Sequence, residues 1–144
     1  MADFETRDPD YERRVRESFA RQRAMGTLGM RLLRVAPGEV EIGLDFREDL
    51  TQQHGYLHAG IVAAAVDTAC GYAALTLTEA GAEVLSVEFK LNLLSPAAGE
   101  SFAARARVVR AGRNVTVCSG DLYARTGGRE KLVATMLGTM MVVK

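Results

Sequence analysis

The stretch HGYLHAGIVAAAVDTACGYAAL, residues 54–75, carries two histidines, a glycine-bearing loop and a long apolar run with one acid, Asp67, in its middle. A carboxylate taken out of water is costly unless something pairs with it. Asp67 is therefore either a structural acid bonded to a neighbouring element or an acid kept for chemistry. In the second case it can act as a nucleophile or as a general base. The loop before the run supplies the complementary feature. It ends at a helix start, where unpaired N–H groups and the positive end of the helix dipole can polarise a carbonyl and hold a developing oxyanion. Further on, Ser86 and Glu88 stand among apolar residues; strict alternation puts them on the face opposite Leu85, Val87 and Phe89.

The elements that must position these groups are legible from periodicity. Residues 9–25 are weakly amphipathic, with Tyr11, Val15, Ser18, Phe19 and Gln22 on one helical face, arginines around the rest, and Gly26 and Gly29 as the stop. MRLLRVA, the turn APGE and the alternating VEIGLDF read as a hairpin. A long helix spans about Ala59 to Thr78 and is closed by Gly81. Then come VLSVEFKLNLL, a break at SPAAGE, SFAARARVVRAG, NVTVCSGDLYAR and KLVATMLGTMMVV, read as four strands in a meander with short glycine turns. A helix apolar on nearly all sides must be surrounded. The expected fold class is α+β, an antiparallel sheet wrapped around a long central helix, with residues 1–25 as an N-terminal helical segment and 26–144 as the domain proper.

In that helix Asp67 lies about two turns from Ala59, roughly 12 Å along the axis. One chain cannot easily bring both to one carbonyl. Two chains with helices antiparallel can, so the spacing asks for a dimer.

Composition narrows the function further. Lys plus Arg and Asp plus Glu are both 18, so no basic excess points to nucleic acid. Hydrophobic residues are 48%, enough for one well-filled core. Cys70 and Cys118 both sit in apolar pattern and read as buried reduced thiols. The N-terminus is charged from the start and has no signal-peptide core. The apolar stretch 61–77 contains Asp67, and a midspan carboxylate costs on the order of 3 kcal/mol, so a membrane span is not expected. The protein reads as soluble and cytoplasmic.

HGYLHAGIVAAAVDTACGYAAL resembles the H-G-G-x(6)-D signature of hotdog-fold acyl-CoA thioesterases of the PaaI-like group, with LSVEFKLNLLSPA following at the matching distance. The likeness in element order runs from about Phe19 to Val143. It implies hydrolysis of an acyl-CoA to free acid and CoA, with no metal or bound cofactor and a homo-oligomer built as a dimer of dimers. By position, His58 matches the motif histidine, Ala59 replaces the first glycine and Gly60 is the second. Asp67 is the helix acid acting across the interface, Ser86 the strand hydroxyl, and Gln52 falls where relatives have a loop-supporting Asn. Ala59 can still offer its N–H to the oxyanion if its φ is negative. Arg110 and Arg113, in RAGRN, match a loop that faces the CoA phosphates, although a hairpin tip is as often merely solvated. Tyr72 and Met30 are candidates for the acyl tunnel, or plain core.

Other chemistries fit less well. His54 and His58 are spaced as metal ligands on a helix would be, but they fall in a loop and no third ligand stands at a recognisable spacing. The dehydratase branch of the fold would need a D-x-N-x-x-H element, which is absent from the sequence. A non-catalytic acyl-CoA binding or sensing protein is the rival of another class; such domains usually carry a DNA-binding segment, and some twenty residues are too few for a helix-turn-helix.

Overall fold

The computed structural model describes residues 3–144; Met1 and Ala2, the first residues of the N-terminal segment, lie outside the described residues. Two short helices, α1 (Tyr11–Arg21) and α2 (Arg23–Leu28), lead into the hairpin β1 (Arg31–Ala36) and β2 (Glu39–Asp45). A 3-10 turn at Glu48–Leu50 and a loop precede α3 (Ala59–Leu75). Four strands follow: β3 (Glu83–Leu93), β4 (Ser101–Ala111), β5 (Val115–Thr126) and β6 (Arg129–Val143). They form one six-stranded sheet in the order β1-β2-β4-β5-β6-β3, and every neighbouring pair is antiparallel.

α3 is the centre of the molecule. Val62, Ala65, Val66, Ala69, Cys70, Ala73 and Ala74 are buried against the concave face of the sheet. Facing them are Ile42, Leu44, Phe102, Leu122, Met136 and Met140, all at 2% exposure or less. Each fully buried branched side chain contributes on the order of 1.5–3 kcal/mol. The helix lies so close to β5 that a Cβ at Gly120 would sit 2.6 Å from Val66 Cγ1. Both cysteines are free and buried at this contact, and the Cys118 thiol donates to the Cys70 carbonyl at 3.4 Å.

Three expectations need correction. The N-terminal helix is split by extended Gln22, and Gly26 lies inside α2, so the stop is Gly29, whose φ of 71° is a left-handed cap. The helix α3 ends at Leu75 rather than Thr78, because the Thr76 and Thr78 hydroxyls turn back onto the Ala73 and Leu75 carbonyls. And the last four strands are not a simple meander: β4, β5 and β6 are, but β3 pairs with β6 at the far edge. β2 already occupies the free side of β4. The connection 94–100 instead crosses the end of the sheet, where Pro96 offers no N–H for a tight hairpin and the buried Ala97 accepts from Leu57 N–H at 3.0 Å.

The edge strand β3 is bare. Leu85, Val87, Phe89 and Leu93 are each 45–61% exposed in the single chain. A bulge between Ser86 and Glu88 shifts the register against β6. It reverses the alternation expected from the sequence: Ser86 sits opposite the buried Met140 on the helix side, whereas Glu88 turns outward to receive the Thr139 hydroxyl at 3.1 Å.

Candidate active site

Asp67 is half-buried, not enclosed in the core. It projects from the middle of α3 into a pocket of about 170 Å³ between α1, α3 and β3. There the Ser86 hydroxyl donates to its Oδ1 at 2.7 Å, and the same hydroxyl lies 3.3 Å from Met140 Sδ. The β3 bulge is what turns Ser86 toward the helix. Tyr72 lines the same pocket, with its phenol 3.1 Å from the Ser18 hydroxyl and its ring 5.9 Å from that of Phe19. Burial pushes the Tyr72 phenol up from its ordinary value, so it stays protonated, while the Ser18 bond acts weakly the other way.

The second group of residues gathers at the other end, at the N-terminus of α3. His58 is the N-cap, and its Nδ1 accepts from the Gly60 N–H at 2.8 Å. A Cβ at position 60 would lie 3.0 Å from that nitrogen, so the motif glycine keeps room for the imidazole. Glycine is not needed there for a left-handed backbone, since neither Ala59 nor Gly60 has positive φ. Ala59 is thus the first residue of an ordinary helix, and its N–H has no hydrogen-bond partner among the described residues. Gln52 braces the loop: its side-chain oxygen accepts from the His54 N–H and, at 3.3 Å, from the Tyr56 N–H. Ala59 and Gln52 border a largely apolar cleft of about 390 Å³ with Leu57, Val62, Leu93 and Leu94.

Within one chain these two groups stay apart. Asp67, Ser86 and Tyr72 share one pocket, Ala59 and Gln52 another, and the rise of α3 holds Asp67 about 12 Å from Ala59. Arg110 and Arg113 belong to neither. Both are exposed, Arg110 near the end of β4 and Arg113 in the β4–β5 turn, and Arg113 borders a third cleft of about 360 Å³ at the C-terminal end of α3 with Arg7 and Lys144. Met30 is core. Sequence reading missed Ser18 and Gln22 as pocket-lining residues. Their signal was present: Ser18 shares a face of α1 with Tyr11, Val15 and Phe19, and Gln22 follows one turn on, at the break after α1. Among the described residues no three of His, Cys, Asp or Glu converge as metal ligands would. No helix among them is long and apolar enough to cross a membrane.

Comparison with known proteins places this geometry. The family described as the thioesterase superfamily matches residues 54–131, the segment from the histidine loop through β5. Human acyl-coenzyme A thioesterase 13 is 36% identical over 104 residues, 72% of each chain. The crystal structure of a thioesterase family protein from Silicibacter pomeroyi superposes with a TM-score of 0.91 at 53% identity, covering 92% of this chain and 98% of that one. The PaaI protein of E. coli shares the fold, with a TM-score of 0.85 over 94% of both chains at 18% identity. With a helix wrapped by this sheet, and with the acid and the free helix N-terminus on it, the chain belongs to the thioesterase superfamily and is a thioester hydrolase of the hotdog fold.

Proposed function

We propose that the protein hydrolyses acyl-CoA thioesters at a site shared between two chains, in the cytoplasm. The observation that carries this reading is the separation on α3 of an unpartnered N–H, at Ala59, from a carboxylate held by a hydroxyl, Asp67 with Ser86. Two antiparallel copies of α3 make up that separation. Three features support such pairing. β3 is an unpaired edge with apolar side chains exposed along it. The stripe of α3 that the sheet leaves uncovered is built from small residues, Gly60, Ala63, Ala64, Thr68 and Gly71, over which a second helix can come close. And Leu85, Val115, Leu137 and Met141 remain exposed in one patch on the outer sheet face, which suits a second contact and hence a dimer of dimers.

In this mechanism the thioester oxygen lies against the Ala59 N–H of one chain, with His58 fixing that first helical turn through its cap. Charge develops on the oxygen as the carbonyl is attacked, and the N–H and helix dipole stabilise it. Asp67 of the other chain either takes the proton of an attacking water or attacks the carbonyl itself, and Ser86 holds the carboxylate or that water. The C–S bond then breaks. On the base route the leaving sulfur takes up the proton that Asp67 removed from water. On the nucleophilic route CoA leaves first and water then cleaves the acyl–Asp67 anhydride, which frees the acid, restores the carboxylate and supplies the proton of the thiol. Tyr72 borders the bound substrate, and Arg110 and Arg113 face the CoA phosphates.

The test is release of free thiol from a panel of acyl-CoAs by the purified protein. Turnover of at least one acyl-CoA, abolished in Asp67→Asn, is the expected result. Turnover of simple thioesters with no acyl-CoA accepted contradicts the CoA assignment.

A further inference from the structure

We propose that Ser18 and Tyr72 form a specificity-determining pair: their coupled hydroxyls hold one spare donor that binds an acceptor oxygen of the thioester substrate beside Asp67. This rests on reading the Asp67 pocket as part of the hydrolytic site, and it adds α1 to that site.

α1 is fixed where it lies. Val15 is wholly buried in the core. The Arg14 guanidinium reaches the C-terminal end of α3, donating to the Thr78 and Ala82 carbonyls at 3.0 Å, to Thr78 Oγ1 at 3.1 Å and to the Leu75 carbonyl at 3.4 Å. The Asp8 carboxylate lies 2.9 Å from its Nε. A cation over the last carbonyls of a helix is where the dipole favours one. This latch sets the rotation of α1, so that Ser18, one turn on, meets Tyr72 across the pocket that Asp67 enters.

Counting hydrogens then points to a ligand. Two hydroxyls carry two donor hydrogens, and the 3.1 Å contact between them uses one. Neither oxygen has another protein partner among the described residues, so one hydrogen is left facing the pocket. Tyr72 is 8% exposed and its phenol remains protonated, so the donor persists at neutral pH. Water can satisfy it in the free protein; a bound thioester displaces that water and must replace its bond. Acyl-CoA offers two acceptors of this chemistry: an amide carbonyl of the pantetheine arm, or an oxygen borne on the acyl chain.

The experiment measures kcat and KM of wild type, Ser18→Ala and Tyr72→Phe with three substrates. These are hexanoyl-CoA, 6-hydroxyhexanoyl-CoA and hexanoyl N-acetylcysteamine, which lacks the outer amide of pantetheine. The variant that removes the hydroxyl bearing the spare hydrogen should raise KM for at least one CoA substrate about tenfold, with a smaller change in kcat, and the other variant, which leaves that hydroxyl in place, should raise it less. A loss confined to the hydroxylated substrate assigns the acceptor to the acyl chain. A loss on both CoA substrates that spares the truncated thioester assigns it to the outer amide of pantetheine, and a loss on all three assigns it to the inner amide. A pair that only staples α1 to α3 lowers Tm in both variants and leaves kcat/KM unchanged for every substrate; that result overturns the proposal. A wild type that turns over no acyl-CoA of the panel overturns the acyl-CoA reading beneath it, and is told apart because no variant is needed to see it.

Discussion

The Ser86 hydroxyl donates a 2.7 Å hydrogen bond to one oxygen of Asp67, and the other carboxylate oxygen has no protein partner among the described residues. The acid is therefore oriented but not used up. A carboxylate enclosed in a core would have both oxygens engaged by its surroundings. This one keeps a free oxygen on the wall of an open pocket.

Asp67→Asn accordingly separates the two roles. Asparagine has the same shape and can still accept from Ser86, but it neither attacks nor takes a proton. We expect kcat to fall at least about 10²-fold, with stability within roughly 0.5 kcal/mol of wild type. Tm and kcat measured on one preparation decide it: a large drop in Tm with unchanged turnover per folded molecule makes Asp67 structural.

Much of the fold was legible because its signals are local. The long apolar pattern from Ile61 to Leu77, with Asp67 within it, required a wrapped helix, and the alternation of Val40, Ile42, Leu44 and Phe46 fixed the inner face of β2 as far as Leu44; Phe46 lies beyond the strand and is exposed. The place of β3 was not legible. Sequence adjacency favours β3 beside β4, and only the prior occupation of that position by β2 sends it to the far edge. The β3 bulge was equally hidden, since nothing in LSVEF breaks alternation; yet it is the bulge that turns Ser86 inward. For the site, the spacing of His58 and Asp67 along a helix was readable. That Ser18 lines the Asp67 pocket depends on the Arg14 latch, a contact between residues more than sixty positions apart.

The His58 cap gives a second prediction. His58→Ala removes the acceptor for the Gly60 N–H and should cost about 1 kcal/mol. His58→Asn, a strong N-cap, should keep both stability and most of kcat if the ring serves to hold the first turn. Gly60→Ala should resemble His58→Ala, because its Cβ meets the imidazole at 3.0 Å. Urea midpoints and kcat for the three variants check this. Full loss of kcat in a stable His58→Asn protein would assign the imidazole a role beyond capping.

The buried thiols predict alkaline lability. Burial pushes Cys118 up to about 12 from an ordinary 9.0, and pushes Cys70 up as well, with lesser contributions from Cys118, Asp67 and Asp121. The unfolded chain releases these protons near pH 9 while the folded one retains them. Folded protein then holds more protons, so stability falls as pH rises. The contribution is fully present below about pH 9 and is lost on the way to pH 12, at about 1.4 kcal/mol per pH unit for each thiol. Urea midpoints from pH 8 to 10.5 should decline less steeply in a Cys70→Ala, Cys118→Ala double variant. Equal slopes would show that the thiols ionise in the folded state.

A site that takes its N–H from one chain and its acid from another can be rebuilt from two inactive variants by subunit complementation. Ala59→Pro removes the N–H at the first helical position, where proline is well tolerated, and the ψ of 139° at His58 already suits a following proline. Alone, Ala59→Pro should lose about 10²-fold or more in kcat, as should Asp67→Asn. Co-folded in equal amounts, half the dimers are mixed, and each of those regains one intact site. Recovery to about a quarter of wild-type activity from two inactive parents is the expected result. Activity that stays at the level of the parents, in a mixture shown by mass spectrometry to contain the mixed dimer, would place both groups in one chain and contradict the shared site.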